Sequence, residues 1–560
     1  MTPNSDAVAR ELLAPRAAPS PARLLAKLGA LRGARLRDGQ LASALSAVLF
    51  VVAAWPLSLT DVPPFQDLPN HIATLTVIEH PELYPEFSFN GFLKTNAALF
   101  AWLYAVGKVT GVRLAARLFV LGVLALNALV IPRFVLALTG SRGRMVVASL
   151  VAWPMVHNWF VSMGMLDFAL GVPLSLALLV ALDRQRRSPS VALGATVVGL
   201  GLVTWYAHVF PLLVVNLLVA IEIAVQRTWR DRWAAARAML VPLSPISLLV
   251  LVSLGLHLTD TAGPMTGYVN YKKLLPAWEL LYNLWAEWLW SFSKLEISTL
   301  LPCAALVFFG VVRRKESPTF FSPTALFVLA ALYCFLPYIV TNWFHVNSRV
   351  VPYVWFALLL RVPDRLPKRA AAALVAAAAA YSVGLGVDYV RLDREQKAFS
   401  AGVVAVPEGA RLLPLLFRHK ESSDNTRNLL HAWGYYVVER HTAAPLLFAH
   451  SRSFPVMYSE PPPVRFNHLV LEGFASSMST PSTMCKSMFQ GNMVVDDCDG
   501  IFRTLWSQFY AEALPRYDHL LTWDATPEAR AVIPPEYELA FQQGKLAIYE
   551  RRGALSAAAR

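Results

Sequence analysis

Apolar runs long enough for the roughly 30 Å hydrocarbon layer of a bilayer recur from residue 42 to residue 390, and nothing else in the sequence restricts its fold as much. Within lipid every backbone N–H and C=O must be paired inside the chain, so each run is expected to be a helix. About eleven spans are expected, near residues 42–60, 118–139, 145–165, 167–182, 191–206, 209–225, 238–258, 297–312, 323–343, 350–363 and 370–390. The fold class is therefore an α-helical polytopic membrane protein. Composition agrees: 56% of the residues are hydrophobic and 16% charged, against about 45–50% and 25% in ordinary soluble domains. The segment 350–363, "VVPYVWFALLLRVP", is short and reads also as a half-helix or an interfacial segment.

Lys and Arg set the expected orientation. With the N-terminus on the cytoplasmic side, the inner segments carry 23 Lys and Arg and the outer segments before the tail carry eight. This asymmetry accounts for the formal charge of +13 as a topology signal, and no nucleic-acid partner is needed to explain it. Residues 1–41, rich in Ala, Arg and Pro, are expected to be a basic cytoplasmic arm. The run at 42–60 is long enough to stay as an anchor, which argues against a signal peptide.

The alternation places residues 61–117, the turn around Asp167, residues 259–296 and everything after about 390 outside. Two stretches, 92–111 and 271–294, are apolar but would invert all later loops if they crossed, so they are expected as interfacial helices. Residues 42–390 then form the membrane domain and residues 391–560 a soluble α/β or α+β outer domain. In that domain "NTRNLLHAWGYYVVERH" (425–441) has helical periodicity, "YDHLLTW" (517–523) reads as a strand, and "YELAFQQGKLAIYERR" (537–552) as a hairpin around Gly544. Cys485 and Cys498 lie where a disulfide is permitted and are expected to be bridged. Cys303 and Cys334 fall within spans, as packing residues.

Candidate chemistry concentrates outside. In "DVPPFQDLPNHIATL" (61–75), Asp67 and His71 are four residues apart and share a face if a helix begins near Pro69; the plainer reading is a helix cap with a paired histidine. Asp61 reads as a turn or cap residue. His157, Asn158 and Asp167 in "HNWFVSMGMLDF" (157–168) form a second polar cluster, and His208 falls in the short outer connection "YAHVFP". Cationic candidates are Lys272 and Lys273 beside Tyr271, and Arg349, the only Lys or Arg of its outer loop. Arg suits two-point binding of a phosphate, and a lipid headgroup contact is the bland alternative.

Taken together, the acidic first loop, the interfacial helices, the stretch from Trp102 to Met145 and the acidic start of "MLDFALGVPLSLALLVALDRQRR" (165–187) resemble the C-type glycosyltransferase (GT-C) superfamily, membrane enzymes that use polyprenyl-phosphate sugars as donors. The resemblance covers residues 42 to about 187 well and the later spans loosely. It implies sugar transfer with inversion, in the cytoplasmic (inner) membrane with the tail outside, from a polyprenyl-phosphate donor to an acceptor that is a glycan, a lipid or a protein. Asp67, or alternatively Asp61, matches the first-loop acid and would be the base. Asp167 matches the second acid and would, with His71, orient the acceptor or a metal, and Arg349 with Lys272 or Lys273 would face the lipid phosphate. A divalent ion, magnesium or manganese, is compatible with this reading, but Asp67 is followed by Leu68 where many members carry a second acid. A silent scaffold of the same layout, or a lipid or solute transporter of the cell envelope, are the alternatives.

Overall fold

The computed structural model describes residues 37–260, 268–271, 277–489 and 497–553. Each expected span contains helix, though 323–343 and 350–363 only over part of their length. By length and composition six described helices can cross a membrane: Asp38–Leu59, Val112–Thr139, Leu166–Arg187, Trp229–Leu258, Lys294–Val312 and Lys368–Ala405. A seventh is available if the bent pair Arg142–Val151 and Trp153–Met163 counts as one span. The difference from eleven has local causes. Val191–Ala207 and Val209–Ala224 have 17 and 16 residues, and at 1.5 Å per residue they reach only about 25 Å. The 145–165 segment bends by 71° at Ala152, where Pro154 opens the next helix without a backbone donor.

The expected 323–343 span also ends early. Its helix, Pro323–Phe335, stops at Leu336, which is extended because Pro337 follows. The chain then makes two short antiparallel strands, Ile339–Val340 and Trp343–Phe344, the first of which also pairs with Val269–Asn270. Of the interfacial stretches, 92–111 contains the helix Ala98–Thr110 and 271–294 the helix Ala277–Ala286, each shorter than the apolar run that holds it.

Beyond the helix Lys368–Ser400, which runs through the expected boundary near 390, the tail builds a four-stranded sheet. Leu412–Leu416 pairs parallel with His519–Trp523, and His519–Trp523 then pairs antiparallel with Leu546–Arg551. Tyr537–Gln543 completes the sheet, and its hairpin turns through Gly544 at φ +56°. Cys485 and Cys498 are disulfide-bonded. Of the expected helix 425–441 only Gly434–Arg440 forms. Its first half is drawn into other pairings: Asn425 Nδ2 donates to Ala286 O at 2.8 Å, and Arg427 N to Gln66 Oε1 at 2.8 Å.

These pairings belong to a wider seam between tail and first loop. Phe87–Phe89 forms an antiparallel ladder with Val456–Tyr458. Asn70, fully buried, donates to Leu446 O at 2.9 Å and accepts from Phe448 N at 3.3 Å. Gly434 allows the closest approach, because a Cβ there would lie 2.4 Å from Pro69 O.

Candidate functional site

The seam and the helix ends beside it enclose a cavity of about 300 Å³. Asp67, His71, Asp167, His208 and Arg349 all line it, together with tail residues that include Arg427, His431, His450, His468 and Glu472.

Asp67 is fixed first by its backbone. Gln66 N donates to Ser162 O at 3.2 Å and Asp67 N to Met163 O at 3.0 Å. The neighbouring Gly164 has φ +84°, and a Cβ on it would lie 2.8 Å from Asp67 N. Although Asp67 stands at the cap position of Leu68–Glu79, its side chain makes no capping bond. Oδ1 instead accepts from Gln66 Nε2 at 3.1 Å and lies at ion-pair distance, 3.0 Å, from His431 Nδ1, which is not aligned for a hydrogen bond, while Oδ2 has no partner among the described residues. The other nitrogen of His431 is bonded to Glu472 Oε1 at 2.9 Å. Burial works to lower the affinity of His431 for its proton, but Glu472 and Asp67 outweigh it and push the imidazole up to about 9.

His71 does not pair with Asp67 as its spacing suggested. Its Nε2 meets Gly164 O at 3.2 Å, and Nδ1 is buried without a partner. Burial holds it down to about 4, with Asp67 raising it less, so at neutral pH the ring is uncharged. A bond to a carbonyl puts the proton on Nε2, leaving Nδ1 as an acceptor.

Asp167 sits in the first turn of Leu166–Arg187, whose last turn carries Arg184, Arg186 and Arg187. Its Oδ1 accepts from Leu99 N at 2.8 Å. The helix Ala98–Thr110 has Ala97 at its cap position and no capping side chain of its own. Asp167 thus caps one helix from the start of another, where both dipoles favour an anion.

Arg349 is 6% exposed, and among the described residues no carboxylate lies within 4.0 Å of it. Its Nη1 is 3.3 Å from His208 Nε2 and its Nε is buried without a partner. The guanidinium carbon stands 5.7, 5.8 and 6.0 Å from the ring centres of Phe168, Trp343 and Phe210, a cationic centre walled by aromatic faces.

The other sequence candidates fall elsewhere. His157 is fully buried between Ser291 Oγ at 3.1 Å and Tyr389 OH at 2.8 Å, and Asn158 caps Trp159–Met163; both pack the core and neither lines the cavity. Asp61 is on the surface, 3.7 Å from Lys397 Nζ. Tyr271 is exposed, and Lys272 and Lys273 lie outside the described residues. The residues that sequence reasoning missed come from the tail. His450 and His468 stack at 4.1 Å with all four ring nitrogens unpartnered, and burial keeps both uncharged. Among the described residues no group of three or more His, Cys, Asp or Glu side chains is arranged to hold a metal ion.

No family model and no curated protein matches the sequence. Solved structures do. ArnT from Cupriavidus metallidurans in the apo state aligns over 90% of this chain and 97% of its own, at 11% identity and a TM-score of 0.49. The same protein bound to undecaprenyl phosphate aligns over 92% and 98%, at 13% identity and 0.48. Arabinofuranosyltransferase AftD from Mycobacteria aligns over 92% of this chain and 42% of its own, at 15% identity and 0.47.

Proposed function

We propose that this chain is a membrane glycosyltransferase that moves a sugar from a polyprenyl-phosphate donor to an acceptor on the outer face of the membrane, with inversion at the anomeric carbon. One observation carries the reading: a buried guanidinium with no carboxylate partner among the described residues, Arg349, and a carboxylate with a free oxygen, Asp67, line the same cavity. A buried cation without a counterion is costly unless an anionic ligand completes it, and the guanidinium fork suits phosphate.

In this reading Arg349 holds the lipid phosphate and stabilises the charge that develops as the phosphate departs. Oδ2 of Asp67 takes the proton of the acceptor hydroxyl as that oxygen attacks the anomeric carbon. A single base acting opposite the leaving group gives inversion. His71, whose Nδ1 is an unpartnered acceptor, and Asp167 position the sugar acceptor from the cavity wall. The outward assignment of the cavity rests on the positive-inside rule, since the Arg cluster of Leu166–Arg187 ends the helix that Asp167 begins. On that assignment the N-terminus is cytoplasmic and the tail lies outside, and the inner membrane is the one the resemblance implies.

The test is transfer of labelled sugar from a polyprenyl-phosphate donor in membranes, comparing native protein with Asp67→Asn at matched expression. Transfer by the native protein that is lost in the variant supports the reading. Equal transfer by both removes Asp67 from the mechanism, and no transfer by either favours a scaffold or transporter.

A further inference from the structure

We propose that His431, supplied by the tail, is a positioning residue for Asp67: anchored from behind by Glu472, its imidazolium holds Oδ1 of Asp67 as an ion pair so that Oδ2 is the oxygen presented to the acceptor. The inference rests on the transferase reading for its catalytic meaning and on geometry for its substance. His431 is 2% exposed, too buried to owe its pairing to a chance surface contact. It bridges two carboxylates from different parts of the chain, one in the first loop at 3.0 Å and one in the helix His468–Ser477 at 2.9 Å.

Why two carboxylates serve better than one follows from charge. A lone imidazolium beside Asp67 would make that carboxylate a poorer proton acceptor. With Glu472 on the opposite nitrogen the cation is already balanced, so His431 and Glu472 together contribute orientation with little net charge. When Oδ2 takes the acceptor's proton, Asp67 becomes neutral, and the imidazolium keeps its proton because Glu472 still faces it. No further proton movement is required for the transfer step.

The seam keeps this bridge in register. Gln66 holds Oδ1 of Asp67 with its amide N–H while its own carbonyl accepts from Arg427 N, four residues before His431. Asn70 fixes the same helix to Leu446 and Phe448, and the Phe448 ring lies 4.8 Å from His431 and 5.9 Å from His71. The titratable and charged groups around His431 are Asp67 and His71 from the first loop, Glu472 and His468 from one tail helix, His419 after the strand Leu412–Leu416, and Arg427 in its own segment. Only Asp67 and Glu472 are paired with it.

Two measurements test the assignment. The first is a histidine-selective NMR titration of the full-length protein in nanodiscs, with the His431 signal identified by its loss in His431→Gln. A midpoint near pH 9 that falls by more than one unit in both Asp67→Asn and Glu472→Gln is expected. An ordinary histidine midpoint, or one that ignores Asp67→Asn, overturns the proposal. The second is the pH profile of sugar transfer. In Glu472→Gln the alkaline limb should move toward neutral pH with the donor KM unchanged, and His431→Gln, which keeps a donor for Oδ1, should retain at least tenfold more kcat than His431→Phe. An unmoved limb, or equal losses in the two His431 variants, refutes a positioning role. If the native protein titrates as expected but transfers no sugar, the transferase reading fails and the His431 bridge stands.

Discussion

Arg349→Met separates ligand binding from folding at the cavity. In the ligand-free protein the guanidinium is almost fully buried, its Nε has no partner, and its Nη1 meets His208 at 3.3 Å. Replacing it with an apolar side chain of similar length removes a desolvation cost of several kcal/mol for an unpaired buried charge. Against this, the Nη1 contact with His208 is lost, but His208 Nδ1 accepts from Phe210 N, so its neutral ring carries the proton on Nε2 and no acceptor is stranded, a cost of at most ~1 kcal/mol. The two roughly cancel or favour the variant, so its melting temperature without lipid should equal or exceed the native value. Binding should move the other way. Loss of one charge-assisted bond to phosphate costs about 1.5–3 kcal/mol, a weakening of about 10- to 150-fold, and more if both arms of the fork engage. The assay is thermal unfolding in detergent with and without undecaprenyl phosphate. The native protein at 100 times its Kd should gain about 2.7 kcal/mol of stability, and the variant at the same lipid concentration much less. A variant that melts lower yet is stabilised by the lipid as fully as the native protein would refute the reasoning and make Arg349 structural.

Other substitutions resolve the remaining roles. Asp167→Asn preserves an acceptor for Leu99 N and should fold normally while losing transfer if the charge matters, whereas Asp167→Ala should also lose about 1 kcal/mol of stability, read by thermal melting. Gly434→Ala would drive a Cβ against Pro69 O, and Gly164→Ala one against Asp67 N at a left-handed residue; each should lower transfer, and Gly164→Ala should cost at least 1–2 kcal/mol, while native melting in both would contradict the seam. The pH dependence has two signs. His71 and His419, held down to about 4, and His450, held down to about 3, are neutral when folded, so below about pH 6.5 unfolding binds protons and each costs about 1.4 kcal/mol of stability per unit until its folded value is reached. His431 is raised, so its contribution is present below about 6.5 and is lost as pH climbs to about 9. Melting should therefore peak near neutrality, and a flat melting temperature from about pH 6.5 to about 5 would contradict the burial of these rings.

The membrane framework was legible because its signal is local: an apolar run with cationic flanks declares itself within twenty residues, as Val112–Thr139 and Leu166–Arg187 do. Lengths were less so. Nothing in the hydropathy of 323–343 announces that Pro337 will end the helix and turn the rest into a hairpin carrying Trp343 into the cavity, although the proline itself was a usable sign. Asp67, Asp167 and Arg349 stood out because each is a charged group next to an apolar run. His157 and Asn158 stood out for the same reason and serve packing, since proximity in sequence does not reveal which side of a helix end faces space. His431 and Glu472 were invisible. They are 364 and 405 positions after Asp67, and only the folding of the tail over the first loop brings them to it. The periodic look of 425–441 misdirected the reading, because tertiary bonds from Asn425 and Arg427 outweigh helix propensity there.

The central claim is that this cavity is where a lipid-linked donor meets its acceptor. It is tested most directly by determining the structure of the protein with undecaprenyl phosphate bound. The account predicts the phosphate within hydrogen-bond distance of the Arg349 guanidinium, with Oδ2 of Asp67 facing the space beside it. Lipid phosphate seated elsewhere, with Arg349 still unpartnered, would contradict it.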